Sequence, residues 1–177
     1  MADPCDPLGA GVVPPGKHLI FGLQLRPGLV QLEIGVQSTN LQTLEAVRRH
    51  TNLDKLRHAV VRIHSEYNIH VHLDLIAGLP YEDYESFGKS FDDVYALEPE
   101  QLQLGFLKVL KGSYMYEHAK EYEAVYRAKP PYEVLRTKWL SYEDICNIKL
   151  AEEMLEVYYN STQFPVSIRL LETIHES

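Results

Sequence analysis

Three short apolar segments alternate with helical segments in the middle of the chain, and this rhythm constrains the fold most. The strand-like segments are residues 29–36, 69–76 and 101–107, bounded by residues typical of turns. Apolar residues at helical spacing predict helices over residues 41–47, 53–63 and 84–97 between them. Strands that alternate with helices of this length run parallel and are joined by right-handed crossovers. The sequence thus predicts an α/β fold with a parallel sheet, either barrel-like or doubly wound. Three strands cannot close a barrel.

The length and composition suit one soluble globular domain. The chain has 177 residues, 45% of them hydrophobic and 24% charged. It is shorter than a complete TIM barrel, which needs about 200 residues or more. A net charge of −8 gives no indication of nucleic-acid binding. The sequence contains no apolar run near the roughly 18–20 residues of a membrane span. We therefore predict a cytoplasmic location and no membrane partner.

The chain divides into three parts. Residues 1–28 are rich in Pro and Gly and are predicted to be a poorly ordered leader or a non-native addition, with a short strand over residues 18–25. Residues 29–112 hold the alternating strands and helices. Residues 113–177 are predicted to be mainly helical, with helices over 114–126, 141–160 and 164–174. The acidic pair Glu82 and Asp83 precedes the helix of residues 84–97, where acidic groups favour the positive end of the helix dipole.

Polar residues recur at every second position along the three strands. Ligands bind at the carboxyl ends of parallel strands, and unpaired polar groups are costly to bury. This pattern therefore predicts a polar cavity at that edge of the sheet. The alternative is that this face is simply exposed to water, as in an incomplete barrel. The residues predicted to share this face are Glu33, Gly35, Gln37, His70, His72, Asp74, Gln101, Gln103 and Gly105, with Lys108 just beyond.

An ordered set of motifs in the middle of the chain resembles the radical S-adenosylmethionine (SAM) superfamily. The motifs are residues 33–40 (EIGVQSTN), the run Arg48-Arg49-His50 and residues 74–82 (DLIAGLPYE). They are similar to the branch that holds oxygen-independent coproporphyrinogen oxidases and methylthiotransferases. Residues 104–112, 130–135 and 158–161 are similar to cobalamin-binding radical SAM proteins with a C-terminal extension of unknown role. The resemblance implies the C-terminal portion of a three-quarter TIM-like (β/α) barrel followed by a mainly helical extension.

The resemblance also implies roles in SAM binding. Gln37 would hydrogen-bond SAM, Arg49 would hold the methionyl carboxylate, and Asp74 would lie near the adenosine or ribose. Gly78 and Pro80 would shape a tight turn that brings backbone close to the ligand. Glu33 would contact SAM or the substrate. Arg48 is the rival to Arg49 for the carboxylate.

The cysteines depart from the family pattern. Radical SAM oxidoreductases hold a [4Fe–4S] cluster with three cysteines in a CxxxCxxC loop, whereas this chain has only Cys5 and Cys146. The chain is therefore interpreted as a fragment with part of the SAM site, whose parent enzyme would supply the cluster ligands and the N-terminal barrel half. The parent is also a candidate for binding cobalamin. This chain alone is expected to be inactive.

Two other interpretations stay open. His70, His72 and Asp74 on one strand face could hold Zn²⁺ in a metal-dependent hydrolase. Alternatively, the chain could be a non-catalytic docking module that forms homo-oligomers through an exposed sheet edge and its Tyr-rich helices.

Overall fold

The computed structural model describes residues 29–66 and 69–175. The predictions for residues 1–28, including the strand over residues 18–25, lie outside the described residues.

A three-stranded parallel sheet forms the centre of the fold. It contains β1 (Val30–Gln37), β2 (Ile69–Ala77) and β3 (Gln101–Phe106) in the order β1-β2-β3. All three predicted strands are confirmed, as is their parallel direction. The register aligns Gly35 with Asp74 and Asp74 with Gln103. The predicted face of alternating polar residues is therefore continuous across the sheet, because neighbours in register point to the same side.

Three helices connect or flank the strands. They are α1 (Leu41–Ala46), α2 (Leu53–Glu66) and α3 (Tyr84–Tyr95). The side chain of Asn40 caps α1 by accepting from the backbone N–H groups of Gln42 and Thr43. Asp83 caps α3 and forms a reciprocal capping box with Ser86. These two helices thus begin where a short polar side chain can satisfy the first free N–H groups.

The core lies on one face of the sheet. Val71, Leu73 and Leu75 of β2 are at most 1% exposed and pack in one cluster with Leu56 and Val60 of α2. The alternate β2 residues on the opposite face keep contact with solvent, with His70 exposed. The sheet therefore has one apolar, helix-covered face and one open polar face, as the inside of an incomplete barrel would have.

The C-terminal part, residues 113–175, begins with one short helix and a hairpin and is helical from Tyr142 onward. It contains α4 (Tyr114–Glu117), a hairpin of β4 (Val125–Tyr126) and β5 (Val134–Arg136), α5 (Tyr142–Met154), a π-helix (Leu155–Asn160) and α6 (Pro165–His175). The prediction of a helix over residues 114–126 is wrong beyond Glu117. The chain turns there, and the β-branched and aromatic pair Val125-Tyr126 joins an antiparallel ladder instead.

The two edges of the sheet differ. At the β3 edge, the Asn160 side chain accepts from the backbone N–H of Leu102 at 3.1 Å and donates to its carbonyl at 3.0 Å. Tyr159 also donates its hydroxyl to the Pro99 carbonyl at 2.6 Å. The C-terminal part therefore covers the β3 edge, whereas β1 is the other edge of the described sheet. Within the described ranges, no helix is long and apolar enough to cross a bilayer.

Candidate functional site

Gln37 and Asp74 lie side by side toward the carboxyl ends of neighbouring strands. The Gln37 amide Nε2 donates to Asp74 Oδ2 at 3.2 Å. The ladder shifts register between Gly35 and Gln37, and Gln37 has a φ of 70°. A shift of this kind re-aims a side chain at a strand end. Here it keeps the Gln37 amide on the polar face beside Asp74.

Arg49 reaches the same place from the loop after α1. Its guanidinium Nη1 donates to the Gly35 carbonyl at 2.9 Å, and its positive charge acts on Asp74. The loop that carries it is a Schellman motif, in which Arg48 N–H bonds the Glu45 carbonyl at 3.0 Å and Arg49 N–H bonds the Leu44 carbonyl at 2.8 Å. This motif reverses the chain at the end of α1 and directs Arg49 back toward the sheet.

Gly35 leaves room for this cluster. A Cβ at Gly35 would lie 2.7 Å from Gln37 Nε2, 3.2 Å from Arg49 Nη1 and 3.4 Å from Asp74 Oδ1. The three polar groups thus converge over one backbone position that has no side chain. We call Gly35, Gln37, Arg49 and Asp74 the polar cluster.

The electrostatics of the polar cluster centre on Asp74. Burial raises the pKa of the Asp74 carboxyl above its ordinary value, while the nearby charge of Arg49 and the hydrogen bond from Gln37 oppose the shift. The cluster therefore pairs one guanidinium with a partly buried carboxyl. Such a pair can bind a zwitterionic or hydroxylated molecule through opposite groups.

Arg48, the rival of Arg49, points elsewhere. Its guanidinium carbon lies 4.2 Å from the centre of the Tyr114 ring, in a cation–π contact with the C-terminal part. Of the two arginines, Arg49 is the one that lies in the polar cluster.

The other predicted site residues lie outside the polar cluster. Glu33 is exposed two residues before Gly35 on the same face, and its carboxylate accepts from Gln31 at 3.2 Å. Pro80 is buried, and Gly78 has a φ of 92°. A Cβ at Gly78 would lie 2.6 Å from Val134 Cγ1. The tight approach at this turn is thus to β5 of the C-terminal part.

The strand that carries His70, His72 and Asp74 does not gather them into a ligand set. The ring nitrogen Nδ1 of His72 lies 2.9 Å from Gln31 Nε2. Among residues 29–66 and 69–175, no group of three His, Cys, Asp or Glu side chains is placed to hold a metal ion. The arrangement of the described residues therefore does not support the hydrolase interpretation.

The burial of Glu82 was not predicted from the sequence. Glu82 was expected to act as an acidic group near the start of α3, but its side chain is 0% exposed. Its Oε1 accepts from Ser38 Oγ at 2.5 Å and from Ser90 Oγ at 2.8 Å. Burial raises the pKa of Glu82, against these two hydrogen bonds. Glu82 thereby ties the end of β1 to α3, just behind Gln37.

Comparison with known proteins gives a family match, a sequence relative and a similar solved structure. Residues 120–177 match a family described as a protein of unknown function (DUF4080). Oxygen-independent coproporphyrinogen III oxidase from Pseudomonas aeruginosa is 31% identical over 84 residues, which are 48% of this chain and 18% of that protein. The solved structure of the radical SAM enzyme coproporphyrinogen III oxidase (HemN) from Escherichia coli is 21% identical, with a TM-score of 0.50 over 70% of this chain and 26% of that one.

These matches confirm the predicted resemblance: part of the chain is similar in sequence to an oxygen-independent coproporphyrinogen oxidase, and its fold is similar to part of a radical SAM enzyme. They also confirm the α/β fold, which is similar to part of the HemN barrel. The chain spans about a fifth of the length of the curated relative it matches.

Proposed function

We propose that this chain is the C-terminal part of a radical SAM iron–sulfur enzyme and that its polar cluster forms one side of the SAM site. The observation that carries the proposal is the convergence of Gln37, Arg49 and Asp74 over Gly35. The relationship to oxygen-independent coproporphyrinogen oxidases supports a parent of this kind.

The donor set fits the polar ends of SAM. Arg49 uses Nη1 on the Gly35 carbonyl and has further N–H donors, which suit the methionyl carboxylate. Asp74 lies one strand away and can accept from the ribose hydroxyls. Gln37 holds Asp74 in place and offers a carbonyl oxygen to the ligand. The missing side chain at Gly35 leaves space against the backbone for the ligand itself. Glu33, Gly78 and Pro80 are proposed to act at the margins, through a substrate contact and through the shape of the loop.

The iron–sulfur cluster does not fit the residues of this chain. SAM bound to a reduced [4Fe–4S] cluster supplies a 5′-deoxyadenosyl radical in this superfamily. In the part of the chain that the structure describes, Cys146 is the free cysteine and no group of thiolate, imidazole or carboxylate ligands is assembled. The cluster ligands, and cobalamin if the parent uses it, are therefore proposed to belong to another part of the parent. This chain alone would be inactive.

The partner proposed for this chain is the N-terminal barrel half of the same parent. Leu32 on the apolar face of β1 is 37% exposed, whereas Val71 beside it on β2 is 0% exposed. The apolar face of the sheet is thus less buried at the β1 edge, whereas Asn160 covers the β3 edge. Further parallel strands would therefore add beside β1. A homo-oligomer through the same edge is the alternative, and the cytoplasmic location stays a prediction.

A titration with SAM tests the proposal. The full chain is expected to bind SAM weakly, and R49A is expected to weaken binding about tenfold or more, since a hydrogen-bonded charge is lost. R57A is the matched control, because Arg57 is exposed on α2, which packs on the opposite, apolar face of the sheet. Equal affinity of R49A and the unaltered chain would contradict the proposed site.

A further inference from the structure

Arg48 occupies a backbone position at which glycine is usually found. It is the residue just beyond the C-cap of α1, and its φ is 58°. Glycine predominates at this position of a Schellman motif because other residues are strained in the left-handed region. The strained backbone at a non-glycine residue indicates that the side chain of Arg48 has a role.

The Arg48 side chain contacts the C-terminal part. Its guanidinium carbon stands 4.2 Å from the centre of the Tyr114 ring. Tyr114 begins α4, far along the chain from α1, so this contact joins two distant segments.

Tyr114 itself packs against other aromatic side chains of the C-terminal part. Its ring centre lies 3.9 Å from that of His118, and His118 Nδ1 lies 2.9 Å from the Tyr114 carbonyl. Its hydroxyl is 3.4 Å from that of Tyr122, which is 4% exposed. Tyr122 packs in turn against Trp139, with ring centres 5.9 Å apart. Arg48 thus rests on an aromatic cluster that is anchored in the C-terminal part.

We propose that Arg48 and Tyr114 together are positioning residues for Arg49. The contact between them holds the loop after α1, so that the next residue, Arg49, stays over Gly35 in the polar cluster. Because the ring of Tyr114 belongs to the C-terminal part, that part helps to order the SAM-binding arginine. This inference rests on the proposed function for its ligand, but the ordering of Arg49 can be measured without SAM.

Four variants of the full chain test the inference. Y114L removes the ring face, and Y114F keeps it. R48G removes the guanidinium while glycine adopts the same backbone without strain. The double variant R48G/Y114L removes both partners. Thermal unfolding identifies any variant that fails to fold. If Y114L does not fold, R48G still tests the inference.

Two readouts are measured on each variant. One is the affinity for SAM by calorimetry, and the other is the NMR relaxation of the Arg49 Nε–Hε group, which reports the order of that side chain. Y114L and R48G are each expected to weaken SAM binding about two- to fivefold, which is the range of a cation–π contact. Both should increase the mobility of Arg49 more than Y114F does, because Y114F keeps the ring face and loses only the hydroxyl contact with Tyr122. The double variant should be no weaker than either single variant, because both remove one contact.

The outcomes separate the two proposals. If the unaltered chain binds no SAM, the proposed function is contradicted, and Arg49 relaxation alone then decides the inference. If Arg49 is as well ordered in Y114L and R48G as in the unaltered chain, the positioning role is overturned, whether or not SAM binds.

Discussion

The side-chain amide of Asn160 pairs with both backbone groups of Leu102, as the peptide group of a neighbouring strand would. It accepts from the N–H at 3.1 Å and donates to the carbonyl at 3.0 Å. The π-helix from Leu155 to Asn160 brings the side chain to this edge. The C-terminal part thus satisfies a backbone position at the edge of the sheet.

We predict that N160A destabilises the chain by about 1–3 kcal/mol, because it leaves the backbone groups of buried Leu102 without these partners. Urea denaturation measures the free energy of unfolding, and hydrogen exchange at the Leu102 amide should quicken. Q163A, at an exposed residue shortly after the π-helix, is the control. An unchanged exchange rate at Leu102 would show that Asn160 does not protect this edge.

The two glycines at 35 and 88 give a matched pair of substitutions. G35A places a methyl group 2.7 Å from Gln37 Nε2 and 3.2 Å from Arg49 Nη1, which are the ends of flexible side chains. The protein should therefore fold while SAM binding is lost.

G88A lies inside α3 with no atom within 4 Å of the new Cβ. It should leave SAM binding intact and stabilise the chain by about 0.5–1 kcal/mol. SAM titration and thermal unfolding of both variants check this pair, and SAM binding by G35A at the unaltered affinity would contradict it.

Glu82 should make stability depend on pH. Burial raises the pKa of its carboxyl above the ordinary value of 4.5, so the folded chain keeps a proton that the unfolded chain releases. This contribution to stability is complete below pH 4.5 and is lost as the pH rises through the folded-state pKa.

The variant E82Q should remove this part of the pH dependence, since a neutral amide can still accept from Ser38 and Ser90. Denaturation at several pH values should show a flatter profile for E82Q than for the unaltered chain. E85Q is the control, because Glu85 is exposed and pairs with Lys89 on the surface of α3. Parallel profiles for E82Q and the unaltered chain would mean that Glu82 carries no shifted proton.

The sheet and the convergence of its polar residues could be predicted because both depend on short-range periodicity. Alternation along β1 and β2 fixes which side chains share a face, so Gln37 and Asp74 could be expected together. The choice between Arg48 and Arg49 was not set by periodicity. It depends on the reversal of the chain at Arg48, which adopts a φ that a non-glycine residue seldom has.

Long-range partners explain what the sequence did not predict. Glu82 precedes a helix, where an acidic residue is usually exposed. Its burial is stabilised by a hydrogen bond from Ser38, which is 44 residues away in the chain. Val125-Tyr126 lies in a stretch that was predicted to be helical, but pairing with β5 decides its conformation. Neither feature leaves a local pattern in the sequence.

The most direct test of the polar cluster is a two-dimensional ¹H–¹⁵N NMR titration of the labelled chain with SAM. We predict that the backbone amides of Gly35, Gln37 and Asp74 shift together and saturate at one SAM concentration, while the amides of Gly88 and Gly112 stay in place. Shifts confined to residues away from Gly35, Gln37 and Asp74, or no shifts at millimolar SAM, would contradict the assignment of this cluster as part of a SAM site.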